Sequence, residues 1–144
     1  MMYQPIITRY CEFCKTPHSF DSKNNYETFC LVCDSPLFSP GKEMLGKSIR
    51  SLERIKRSEN IIFHVYWPGQ RLPGHLFDIS PKGLRFNTEY GLDTGQVIKI
   101  EGEKFKAVAE VVHSKVENSR SSIGVCFRTV FFNSAKGNFL LTSV

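Results

Sequence analysis

The chain has 144 residues, 41% hydrophobic and 12% aromatic, with 19 Lys+Arg against 14 Asp+Glu. That is too apolar for a disordered chain, and no apolar run reaches the roughly 18 residues of a membrane helix. The N-terminus carries no charged segment followed by an apolar stretch, so a signal peptide is not expected and the cytoplasm is the expected location.

The net charge of +5 is unevenly spread. Residues 1–40 hold three basic groups (Arg9, Lys15, Lys23) and four acidic ones (Glu12, Asp21, Glu27, Asp34), a net −1. The remaining 16 basic and 10 acidic groups give the rest of the chain +6. Between Lys42 and Arg57, six cations (Lys42, Lys47, Arg50, Arg54, Lys56, Arg57) face only Glu43 and Glu53. Such a cluster attracts anions: nucleic acid, anionic lipid or a phosphorylated small molecule.

Residues 1–40 read as a metal-stapled module. Cys11, Cys14, Cys30 and Cys33 form C-x2-C-x15-C-x2-C, a zinc-ribbon spacing. Each CxxC turn presents two thiolates, and two such turns close a tetrahedral S4 shell in which zinc is structural, with no open position for catalysis. Disulfides would require an oxidising compartment, and a redox CxxC a βαβ context that is missing here. Between the pairs, two short strands are expected around the turn Ser22-Lys-Asn-Asn25, with His18 in a surface turn. A module of about 40 residues buries little core, so the metal would supply most of its folding energy.

Residues 41–59 form a basic linker. Met44, Leu45, Ile49, Leu52 and Ile55 fall at roughly helical spacing, so a short amphipathic helix is expected over Lys42–Arg57, weakened by Gly46.

Residues 60–144 are strand after strand. Ile61–Trp67 is a β run ended by Pro68-Gly69, and Arg71–Ile79 is a second, leading to the turn Ser80-Pro-Lys-Gly83 and a short strand Leu84–Asn87. Gln96–Ile100, Lys104–His113 and Ser121–Val130 complete six strands, and a short C-terminal helix is expected over Asn133–Leu141. The pattern predicts a mostly β fold, a small antiparallel barrel or sandwich. Trp67 is expected at the barrel mouth, and Cys126, in an apolar strand, as a small packed hydrophobe.

Two motifs precede or interrupt these strands. Arg50-Ser-Leu-Glu-Arg54 is an RxxxR pattern with Arg57 close behind, and Asp78-Ile-Ser-Pro-Lys-Gly83 is a DxSxxG pattern. Their order ahead of six strands, with the later segment Ser122-Ile-Gly-Val-Cys-Phe-Arg128, resembles the PilZ domain family over roughly residues 50–144. The resemblance implies a six-stranded barrel that reads the second messenger cyclic di-GMP without catalysis. By the same analogy it implies ligand contacts at Arg50, Arg54, Asp78, Ser80 and Gly83, with Arg57 as a further phosphate contact.

The chemistry of these residue types suits that ligand. Arginine pairs bidentately with phosphate and stacks on purines. A carboxylate at Asp78 accepts from guanine N1–H and the 2-amine, which adenine cannot offer. Ser80 adds a hydroxyl, and Gly83 is expected to let the turn reach positive φ and keep a side chain off the base. No catalytic triad, phosphate-cradling glycine loop or paired carboxylates is present, so no enzyme is expected. Ordering of the basic arm would then move the cysteine module and signal to a downstream protein partner. Two other readings are a nucleic-acid-binding ribbon and barrel, disfavoured by the slightly acidic ribbon, and a ligand-free adaptor, disfavoured by the intact DxSxxG.

Overall fold

The computed structural model describes residues 6–21, 28–38 and 55–132. Eight strands account for most of them: β1 (Ile6–Tyr10), β2 (Pro17–Asp21), β3 (Ile55–His64), β4 (Leu72–Ile79), β5 (Gly83–Thr88), β6 (Val97–Glu101), β7 (Phe105–Glu117) and β8 (Arg120–Phe132). β1 and β2 form a two-stranded antiparallel sheet, and the other six close into a barrel in the order β3-β4-β5-β8-β7-β6. Closure leaves the barrel without a free edge strand. The expected six-stranded antiparallel barrel is therefore the fold.

Alternation of side chains builds the core. Ile61 and Phe63 of β3, Leu76 and Ile79 of β4, Leu84 and Phe86 of β5, and Ile98 and Ile100 of β6 point inward and are buried. Ala107, Ala109 and Val111 of β7 and Ile123 and Val125 of β8 fill the other side. The β7–β8 hairpin turns on Asn118 and Ser119, with φ of 52° and 67°. Two positive φ values in a two-residue loop make the primed turn whose twist matches the strands.

Several expectations need correction at their edges. The first barrel strand starts at Ile55 and ends at His64, where Ile61–Trp67 was expected. β3 thus takes in Ile55–Arg57, the end of the expected helix over Lys42–Arg57, with Ile55 and Lys56 paired to β4; residues 42–54 lie outside the described residues. The expected helix over Asn133–Leu141 also lies outside them. In the cysteine module the strands flank the first CxxC, because β1 precedes Cys11 and pairs with β2 from Tyr10↔Pro17 to Ile6↔Asp21. Residues 22–27, which include the expected turn, are not described. Among the described residues, no helix is long and apolar enough to cross a membrane.

The module sits on the outer face of β6, β7 and β8. His64, Lys99, Val108 and Thr129 form one cross-strand row, paired His64↔Lys99, Lys99↔Val108 and Val108↔Thr129. All four are buried although none belongs to the barrel core. The second CxxC segment meets the Thr129 end of this row, where Thr129 Oγ1 donates to the Pro36 carbonyl at 2.7 Å and the rings of Phe29 and Phe131 meet edge-on at 5.0 Å. Ion pairs ring the contact, Lys106 with Asp34 and Arg128 with Glu12. Trp67, expected at the barrel mouth, packs instead against the cysteine cluster, with its ring 5.2 Å from that of His64.

Candidate ligand shelf and metal centre

Two turns of the same design hold the four cysteines. In the first, the Lys15 amide donates to the Cys11 carbonyl and the Cys11 amide to the Thr16 carbonyl; in the second, Asp34 donates to Cys30 and Cys30 to Ser35. Lys15 and Asp34, each just after its CxxC, take φ of 69° and 63°, which lets each turn reverse within one residue. The Phe13 amide donates to Cys11 Sγ and the Val32 amide to Cys30 Sγ, both at 3.4 Å. Backbone donors aimed at sulfur favour the thiolate.

The sulfurs converge. Cys11 and Cys33 are 3.6 Å apart, Cys14 and Cys30 3.5 Å, and all four ligand atoms lie within 4.8 Å of one another. A tetrahedron with metal–sulfur bonds of about 2.3 Å has edges of about 3.8 Å, so the donor set fits a metal ion. The Cys11 thiol falls to about 4, chiefly through its hydrogen bond with Cys33, against the opposing effect of burial. Cys33 moves upward, through that same bond and then burial, and Cys30 is pushed up mainly by burial. A metal ion bound by thiolates would displace the protons of the cluster. His18 is buried and its Nε2 lies 3.3 Å from Cys30 Sγ, which corrects its expected place in a surface turn. With Nε2 protonated, the imidazole would donate to the Cys30 sulfur and steady it from outside the four-cysteine set.

On the barrel, two irregularities shape a second site. β3 carries an extra residue between Lys56 and Glu59, and β4 one between Leu76 and Asp78. The second bulge falls at Phe77 and shifts the alternation by one. Leu76 opposite Phe86 and Ile79 opposite Leu84 both stay in the core, and Asp78, opposite Arg85, is turned to the outer face. Without the bulge, strict alternation would bury Asp78 beside Leu76 among hydrocarbon.

Asp78 is only 4% exposed and paired with Arg85. Arg85 Nη2 donates to Oδ2 at 2.7 Å and Nε to the same oxygen at 3.2 Å. This bond and the nearby negative charge push the Arg85 guanidinium further up. The chain then turns: the Ser80 amide donates to the Gly83 carbonyl at 2.8 Å, and Ser80 Oγ accepts from the Lys82 amide at 3.3 Å. The Phe127 amide donates to the Lys82 carbonyl at 2.7 Å and fastens the turn to β8.

Gly83 is required for a reason other than the one expected. It does not take a positive φ; a Cβ there would lie 2.0 Å from the Val125 carbonyl oxygen of β8. Gly83 pairs with Cys126 and lies flat on that strand. Cys126, expected to pack as a small hydrophobe, is exposed on the same outer face.

Asp78, Ser80 and Gly83 are thus brought together on one shelf beside β8. Arg50 and Arg54 lie outside the described residues, and for Arg57 the backbone alone is described, within the β3 bulge. Ile55 pairs with Ile79, so the chain enters the barrel next to the shelf, one residue after Arg54. Arg85 was missed by sequence reasoning because it belongs to neither motif; its signal was an arginine opposite an aspartate once the β4–β5 register is known.

The family model described as PilZ domain matches residues 50–132, more than half of the chain. No curated protein matches the chain at a significant level.

Proposed function

The chain belongs to the PilZ domain family, a family of cyclic di-GMP receptors, and from that premise we propose that it is a non-catalytic cyclic di-GMP receptor carrying a structural zinc module. The observation that carries the reading is the pairing of Ile55 with Ile79, which leads the RxxxR segment into the barrel beside the outward-turned Asp78. In this reading Arg50 and Arg54, with Arg57, hold the two phosphates, and Asp78, Ser80 and Gly83 receive a guanine. The ligand lies between the basic arm and the barrel.

Zinc is the ion the four thiolates favour, because a closed shell of soft sulfur donors selects it over hard cations. The module would be folded by the metal and read by the ligand. β8 runs beneath both sites, since Cys126 pairs with Gly83 and Arg128, two residues on, bridges to Glu12 of the first CxxC turn. Ligand binding beside Cys126 then shifts the module held two residues further along that strand, and a downstream protein in the cytoplasm reads the change.

Titration calorimetry with cyclic di-GMP tests the reading on zinc-loaded wild type and Arg54→Ala. Heat from the wild type and at least a tenfold weaker response from the variant are expected, since charge-assisted phosphate contacts are worth about 1.5–3 kcal/mol. No heat from the wild type sinks the proposal. A gel-shift assay with salt-dependent DNA or RNA binding, in its place, would favour the nucleic-acid reading.

A further inference from the structure

The Asp78 side chain is 6% exposed, whereas that of Arg85, its partner, is 58% exposed. The carboxylate is therefore buried beneath a cation that itself faces solvent. Arg85 grips it asymmetrically. Nη2 and Nε both donate to Oδ2, at 2.7 and 3.2 Å, and the contact to Oδ1 is longer, at 3.4 Å. Two donors from one rigid planar group fix the rotation of the carboxylate as well as its charge.

The flank of Arg85 is shaped too. Across the sheet it pairs with Gly124, which in turn pairs with His113. A Cβ on Gly124 would sit 3.2 Å from His113 Cβ and 3.9 Å from Arg85 Cγ. The missing side chain leaves a flat strip of outer face between the arginine and the histidine.

Resting on the cyclic di-GMP reading, we propose that Arg85 is a positioning residue for guanine, holding the Asp78 carboxylate in the plane that accepts the N1–H and 2-amine pair. Guanine presents those two donors side by side, and only a carboxylate of fixed orientation meets both at once. Holding it fixed before binding removes an ordering cost from the binding step. The guanidinium, itself held flat, lines the approach to the base over Gly124.

The test compares cyclic di-GMP with cyclic di-IMP, whose hypoxanthine lacks the 2-amine, by calorimetry on zinc-loaded wild type, Arg85→Ala and Arg85→Lys. Wild type should favour cyclic di-GMP. Arg85→Ala should weaken cyclic di-GMP by about tenfold or more, the range for a charge-assisted hydrogen bond, and bring the preference between the two ligands close to one. Arg85→Lys, which keeps the charge and loses the planar fork, should fall between them in affinity with its preference still reduced.

A variant that loses affinity equally for both ligands makes Arg85 a general cation and overturns the proposal, as does an unchanged affinity. Arg85→Ala takes a partner from the buried Asp78 carboxylate, so its ligand-free form should melt lower than wild type; an unchanged far-UV circular dichroism spectrum at the titration temperature checks that the barrel is intact. A wild type that binds neither ligand overturns the receptor reading itself, and the role of Arg85 with it. That outcome is distinct from binding that ignores residue 85.

Discussion

Thr129 Oγ1 of β8 donates a buried 2.7 Å hydrogen bond to the carbonyl of Pro36, and this bond ties the cysteine module to the barrel. Pro36 has few other ways to satisfy that carbonyl once water is excluded. Thr129→Val keeps the shape and removes the donor, so an acceptor is left buried and alone. The expected loss is about 1–3 kcal/mol, read as a lower urea midpoint, and Thr129→Ser should recover most of it. An unchanged midpoint for Thr129→Val would mean that the module contributes nothing to barrel stability through this contact.

Trp67 is the single tryptophan of the chain and packs against the cluster of Cys11, Cys30, Cys33 and Leu37. It therefore reports on the cysteine cluster. Under the proposed zinc reading, a module of this size would have too little core to fold without the ion. Stripping the metal with a strong chelator should shift Trp67 emission to the red, and stoichiometric zinc should restore it. Cys30→Ser should show the red-shifted spectrum with or without zinc. Emission indifferent to chelation in a protein shown to contain metal would separate Trp67 from the site.

The six barrel strands and the clustering of the four cysteines were legible in the sequence because both depend on local chemistry. Cysteine spacing states the ligand set directly, and turn residues such as Pro68-Gly69 and Glu101-Gly102-Glu103 mark where strands must end. What was hidden depends on register. The bulge at Phe77 decides that Asp78 faces outward, and nothing in His-Leu-Phe-Asp-Ile announces an extra residue. Arg85 acquires a role only through that bulge. Lys99, buried at 1% exposure and paired with Glu101, looks like a solvated strand residue until the ring of Trp67 is seen to lie against its ammonium. Gly83 was expected to serve a positive-φ turn and a bound base, whereas what excludes a side chain there is β8, more than 40 residues away in the chain.

That reason can be tested by adding one carbon. Gly83→Ala puts a Cβ 2.0 Å from the Val125 carbonyl oxygen, and both contacting groups are backbone in a paired strand. Neither yields without parting β5 from β8, so a loss of about 3 kcal/mol is expected, with weaker cyclic di-GMP binding in parallel. Gly91 supplies the control, because a Cβ there meets nothing within 4 Å. Gly91→Ala should be neutral or slightly stabilising. Equal thermal midpoints for the two variants would contradict the close approach.

His64 makes stability depend on pH. It is 5% exposed beneath the module, and its Nδ1 has no hydrogen-bond partner. Burial, then the neighbouring charge of Lys99, hold its pKa below the ordinary 6.5; Arg71 acts in the same direction and Glu101 against it. The imidazole is thus neutral in the folded protein where an unfolded chain would take up a proton. With the folded value depressed, the stability it supplies is present above pH 6.5 and is lost as pH falls from there toward the folded value. Urea midpoints measured from pH 7.5 down to 5.5 should decline more steeply for wild type than for His64→Gln, which carries no titrating group at that position. Parallel slopes for wild type and His64→Gln would remove His64 as the source.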